Sequence, residues 1–216
     1  EVDSCRIDVE QQDDLLKFKA DIIGTPVNEA SAFTFTLNPG FKVASVTMNG
    51  KPLQFQREEH LLVIDFPAKV KSDERVAFTI EYEGVADERI CYLDIPEETL
   101  NQQEKFMDNF NIGKKYGYQS EEYTLLTPEI YWYPRPGVCY SSESPDWQQS
   151  YFTNFSMKVK PNEGMTVLSQ GERKLSADSL VTSFSVLESC SSAIPRNTSS
   201  AAQVFIYCLA RYTLSS

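Results

Sequence analysis

The chain has 216 residues, 41% hydrophobic and 24% charged, which is enough apolar material for one large all-β domain or two small ones. A formal net charge of -11 and an isoelectric point near 4.6 exclude a phosphate-backbone partner such as nucleic acid, which needs a basic footprint to displace condensed counterions. The acidity reads most simply as a solvated surface that keeps the protein soluble.

Alternation with a period of two governs residues 14–84. In Lys17-Phe18-Lys19-Ala20-Asp21-Ile22 the apolar side chains fall on one face and the charged ones on the other, the pattern of a half-buried antiparallel strand. Phe33, Phe35 and Leu37 repeat it, and Ala44, Val46 and Met48 are expected to share a third face. Asn49-Gly50 follows at once and tolerates positive φ at both centres of a type I′ turn, so it should fold the chain back onto Leu53 and Phe55. Leu62, Ile64 and Phe66 share a face up to Pro67, and Val76, Phe78, Ile80 and Tyr82 share another up to Gly84. Buried large side chains contribute roughly 1.5–3 kcal/mol each, so these faces together favour two packed antiparallel sheets.

Pro96, Glu97 and Glu98 ahead of Leu100, Met107 and Phe110 predict one short helix, with proline and acids suited to its N-terminal dipole. Residues 151–160 and 165–169 return to strand character. The expected organisation is a single β-sandwich domain over residues 1–186 and an atypical tail over 187–216. The tail is small and polar through Glu188-Ser189-Cys190-Ser191-Ser192, ends in an apolar run from Val204 to Ala210, and reads as a linker with a terminal strand or as a truncated or frame-shifted end.

Glu1-Val2-Asp3-Ser4 lacks the basic start and apolar stretch of a secretory signal, as would a chain beginning downstream of one. No apolar run approaches the roughly 20 residues of a membrane-spanning helix, so no membrane segment is expected. Cys5, Cys91, Cys139, Cys190 and Cys208 form no C-x-x-C pair; buried free thiols are the plain reading, and an oxidising compartment would allow one disulfide. His60 is the chain's sole histidine. A zinc peptidase site needs two histidines one helical turn apart with a glutamate between them, so neither a catalytic nor a metal or cofactor residue is assigned. Cys139 with Arg135 nearby is a weak nucleophile candidate, and the acid pairs Glu97-Glu98 and Glu121-Glu122 point apart and read as solvated charge.

The aromatic group Tyr131, Trp132, Tyr133, Tyr140 and Trp147 is the remaining candidate. Tyr131, Trp132, Tyr133 and Trp147 could stack on sugar rings or peptide side chains as a contact surface. The alternative is inter-sheet packing, which the flanking Pro134 and Pro136 favour by holding an aromatic bend at the end of a sandwich.

Val43-Ala44-Ser45-Val46-Thr47-Met48-Asn49-Gly50, Ile80-Glu81-Tyr82-Glu83-Gly84, Leu125 to Pro134 and Trp147 to Gly171 occur in an order that resembles the N-terminal domain of zinc aminopeptidases of the aminopeptidase N type. The second half is most similar to a bacterial branch fused to the permease of an ABC transporter. The resemblance implies a saddle-like β-sandwich on the periplasmic face of a bacterial inner membrane. Its implied role is that of a non-catalytic accessory domain packed on a zinc peptidase-like catalytic domain, helping to shape the substrate cleft, with zinc held by that other domain. A free-standing binding module for glycans or peptides is the alternative. Typical members carry a substrate-contacting glutamine shortly before the aromatic-proline corner, where this chain has Tyr123 and no glutamine between Ser120 and Tyr133, so no substrate residue carries over.

Overall fold

Alternating side chains and turn-forming dipeptides set the strands of this all-β protein. The computed structural model describes residues 1–92, 116–120, 123–138, 152–169, 172–175, 182–189 and 206–210. The first half carries β1 (Val2–Gln12), β2 (Leu15–Gly24), β3 (Ala30–Thr36), β4 (Phe41–Met48), β5 (Lys51–Pro52), β6 (Gln54–Glu58), β7 (Leu61–Val70) and β8 (Val76–Gly84). The second carries β9 (Gly117–Gln119), β10 (Tyr123–Leu126), β11 (Arg135–Pro136), β12 (Phe152–Lys160), β13 (Met165–Leu168), β14 (Glu172–Leu175), β15 (Thr182–Ser189) and β16 (Ile206–Ala210). Short 3-10 turns occupy Glu88–Tyr92 and Pro128–Ile130.

Among the described residues the strands form an eight-stranded sheet, β14-β15-β12-β1-β2-β8-β4-β5, and two four-stranded sheets, β11-β3-β7-β6 and β13-β16-β10-β9. The core lies between the large sheet and the β3–β7 sheet. Phe33, Phe35 and Phe66 from the smaller sheet meet Phe78 of β8 edge-on, with ring centroids 6.2, 5.8 and 6.0 Å apart. Such contacts add about 0.5–1.5 kcal/mol beyond the area they bury.

The alternation read in β2, β7 and β8 is the alternation observed: Phe18, Ala20 and Ile22, then Leu62, Ile64 and Phe66, then Val76, Phe78, Ile80 and Tyr82 are all buried. Asn49 and Gly50 take φ of 53° and 73°, and β4 pairs back on β5 across them.

Four expectations are corrected. Ala44 does not share a face with Val46: the pairing of β4 with β8 shifts register between Val43 and Ser45, so parity reverses there, Phe41, Val43 and Val46 point inward, and Ala44 is exposed. The Asn49-Gly50 hairpin is short, because the chain leaves the large sheet after Leu53, whose N–H still donates to the Val46 carbonyl at 2.8 Å, and Phe55 pairs with Ile64 in the other sheet. The run ending at Pro67 resumes at Val70 after an exposed excursion over Pro67, Ala68 and Lys69, where the missing N–H of proline costs no ladder bond. The pairing is not wholly antiparallel either, since β1 lies parallel to β12 from Ser4↔Asn154 to Glu10↔Lys160.

β15 runs without a break from Thr182 to Ser189, and β16 lies between β13 and β10. The expected helix over Pro96 to Phe110 lies outside the described residues. Cys5 is buried on β1.

Candidate functional site

The aromatic corner is built by a chain reversal between β10 and β11. Thr127 is extended, Pro128 opens the 3-10 turn, and Tyr131 closes it in a left-handed conformation with φ 51° and ψ 46°. A proline at the start of such a turn costs no hydrogen bond, because that N–H has no internal partner anyway. The reversal turns Trp132 and Tyr133 inward, where they are 0% and 3% exposed, and leaves Tyr131 half-buried at the rim. Trp132 meets Tyr133 edge-on at 4.8 Å and Phe155 at 6.2 Å, with Phe18 also 6.2 Å away. Arg135, itself buried, holds its guanidinium 5.8 Å over the Tyr131 ring, a cation–π contact.

Polar groups fix this corner from beneath. The Tyr82 hydroxyl donates to the Trp132 carbonyl at 3.1 Å, and burial pushes that phenol far above its ordinary value, so it stays a neutral donor. Asn38, 0% exposed, donates through Nδ2 to the Ile130 carbonyl at 2.7 Å and the Asp87 carbonyl at 2.9 Å. Its Oδ1 accepts from the N–H of Gly40 at 2.9 Å and of Asp87 at 2.7 Å, while its own N–H donates to the Tyr131 carbonyl at 2.9 Å. Arg57 Nη2 donates to the Leu37 and Asn38 carbonyls at 2.9 and 2.7 Å; burial lowers its pKa to about 10, which leaves it charged at neutral pH. Asn38 escaped the sequence reading, although Asn38-Pro39-Gly40 is a turn signature in which the amide bonds backbone two residues on.

The structure thus joins Tyr131, Trp132 and Tyr133 and divides them between rim and core, while Trp147, Tyr140 and Cys139 lie outside the described residues. Tyr123, at the position where the resemblance leads one to look for a glutamine, stacks on Tyr118 with ring centroids 4.2 Å apart and planes 9° from parallel. Gln119 is close by, but its amide serves backbone: Oε1 accepts from Ala86 N–H at 3.1 Å, and Nε2 donates to the carbonyls of Gly84 and Asp14.

His60 sits in the β6–β7 turn with its side chain 12% exposed. Burial lowers its pKa, with Glu59 pulling the other way, so the imidazole is neutral at neutral pH. Among the described residues no three His, Cys, Asp or Glu side chains converge as metal ligands. A lone, largely enclosed histidine does not fit a zinc site of the two-histidine type.

A second concave feature escaped the sequence reading altogether. A cleft of about 470 Å³ lies over the outer face of β12, β1, β2 and β8. Strand register sets its charges in rows: Lys160, Glu10, Lys17 and Glu83 are successive cross-strand neighbours, and so are Lys158, Asp8, Lys19 and Glu81. The next row is Ser156, Arg6, Asp21 and Thr79, in which Thr79 Oγ1 donates to Asp21 at 2.7 Å. The charges were visible in the sequence, but a parallel neighbour about 150 residues away along the chain has no local signal.

No protein-family model matches the chain, and no curated protein does. Its fold is similar to that of an M1 zinc metallopeptidase from Deinococcus radiodurans, with a TM-score of 0.66 at 12% identity over 96% of this chain and 41% of that one. A mutant M1 zinc metallopeptidase from the same organism, bound to a Tyr-Ser-Ala substrate, matches with a TM-score of 0.65 at 10% identity over 96% of this chain and 42% of that one. A two-domain M1 zinc metallopeptidase mutant bound to L-arginine gives 0.66 at 12% identity, with 96% and 42% covered. At these identities the likeness is one of fold, and the chain spans less than half the length of those peptidases.

Proposed function

We propose that the chain is a non-catalytic accessory domain that packs on a zinc peptidase-like catalytic domain and helps to wall its substrate cleft. The observation that carries this reading is the asymmetry of the fold likeness, which takes in 96% of this chain but only 41–42% of each metallopeptidase. The chemistry agrees: with His60 as its sole histidine the chain cannot build a two-histidine zinc motif. The finer parts of the reading are an N-terminal position in the parent protein, fusion to an ABC transporter permease and a location on the periplasmic face of an inner membrane. They rest on the sequence resemblance alone.

The test has two parts. The purified chain should not hydrolyse aminoacyl nitroanilides; hydrolysis lost on adding a chelator would overturn the non-catalytic assignment. The nucleotide sequence through and beyond the codons for residues 180–216 should encode His-Glu-x-x-His in a neighbouring frame or domain; its absence from the whole locus would remove the catalytic partner.

A further inference from the structure

The charge rows on the outer face of the large sheet have a symmetry that a merely solvated face does not need. Along the strands they form stripes: Lys158 and Lys160 on β12, Asp8 and Glu10 on β1, Lys17 and Lys19 on β2, Glu81 and Glu83 on β8. Reflected across the seam between β1 and β2, each of these charges meets its opposite. The third row obeys the same rule with signs exchanged, since Arg6 lies across the seam from Asp21 and the neutral Ser156 and Thr79 occupy the flanks. One carboxylate is present for every cation, although the chain as a whole carries -11. Among the described residues Lys160 with Glu10, at 2.9 Å, is the one ion pair within these rows, while Asp21 and Glu81 each accept from a neighbouring hydroxyl, of Thr79 at 2.7 Å and of Ser45 at 3.0 Å.

We propose that this face docks on the same face of a second copy of the chain. A two-fold axis lying in the interface, parallel to the strands and over the β1–β2 seam, sets β1 of one copy opposite β2 of the other and β12 opposite β8. Every stripe then faces the opposite charge, and Arg6 faces Asp21. Such an interface is isologous, the same patch being used twice. The cleft of about 470 Å³ receives the long lysine and glutamate side chains of the facing copy. Net repulsion between two acidic chains acts at long range and is largely screened beyond about 8–10 Å at 0.1–0.15 M salt, whereas contact pairs survive until salt near 1 M shortens the screening length to about 3 Å. The contact is therefore weak and governed by salt. It does not rest on the accessory-domain reading.

Sedimentation velocity of the full chain tests this at concentrations up to about 100 µM, since association follows mass action, in about 0.1 M and about 1 M salt. A dimer in the first and a monomer in the second are expected. Lys17→Glu with Lys19→Glu, and separately Asp8→Lys with Glu10→Lys, should each give monomers of unchanged circular dichroism in the lower salt. An equimolar mixture of the two variants should dimerise again, because β1 of each then faces a complementary β2. A monomeric wild type at the lower salt, a dimer that persists at the higher, or a mixture of folded variants that stays monomeric overturns the proposal. If either variant does not fold, the wild-type salt comparison decides alone.

Discussion

Single residues at the aromatic corner carry unequal burdens. Trp132 is fully enclosed between Phe18, Phe155 and Tyr133, so Trp132→Ala should cost about 3–5 kcal/mol in urea denaturation. A platform tryptophan turned to solvent would give a far smaller loss. Tyr82→Phe deletes only the hydroxyl that donates to the Trp132 carbonyl and should cost about 0.5–1.5 kcal/mol. His60 makes stability depend on pH. Burial depresses its pKa below the usual 6.5, so the unfolded chain takes up the proton first. Its contribution is full above that pH and is lost as pH falls through the depressed folded value. Chemical denaturation between pH 8 and about 5 should show the decline, and His60→Gln should flatten it. A separate loss at lower pH remains, because the hydrogen bond from Lys160 holds Glu10 low and that from Arg89 holds Asp87 low.

At the scale of elements, two glycines separate two physical reasons for glycine. Gly50, at φ 73°, has nothing within 4 Å of where a Cβ would stand, so Gly50→Ala strains only the backbone and should cost about 1 kcal/mol. At Gly40 a Cβ would stand 2.0 Å from the Val85 carbonyl oxygen, which cannot move without shifting the backbone after β8. Gly40→Ala should therefore lower the thermal midpoint well beyond Gly50→Ala in the same scan. The β4 irregularity belongs to this scale too. Ala44, Val46 and Met48 obey period two in the sequence, but a register shift decided by pairing with β8 turns Ala44 outward and brings Phe41 and Val43 in.

For the whole molecule the consequence of topology is kinetic. The first and second halves of the chain join in the large sheet through β12 lying parallel to β1, with Cys5 opposite Phe155 and Ile7 opposite Met157. Closing so long a loop must precede the reward of its contacts, which places refolding in the range of roughly milliseconds to seconds rather than microseconds. Stopped-flow fluorescence of Trp132 in a Trp147→Phe background measures it, and a microsecond phase carrying the full amplitude would contradict the topology.

The sequence by itself determined the all-β class, the inward faces of β2, β7 and β8, the Asn49-Gly50 turn and the want of a second histidine, because each depends on residue identity or on neighbours a few positions apart. Only the tertiary structure decided that Trp132 and Tyr133 face the core while Tyr131 stays at the rim, that Asn38 clamps the corner, and that lysines from β12 and β2 flank the carboxylates of β1. Those outcomes depend on which distant strands become neighbours and in which register. Local pattern is silent there, because an alternating strand pairs acceptably with many others and the shared core selects among them.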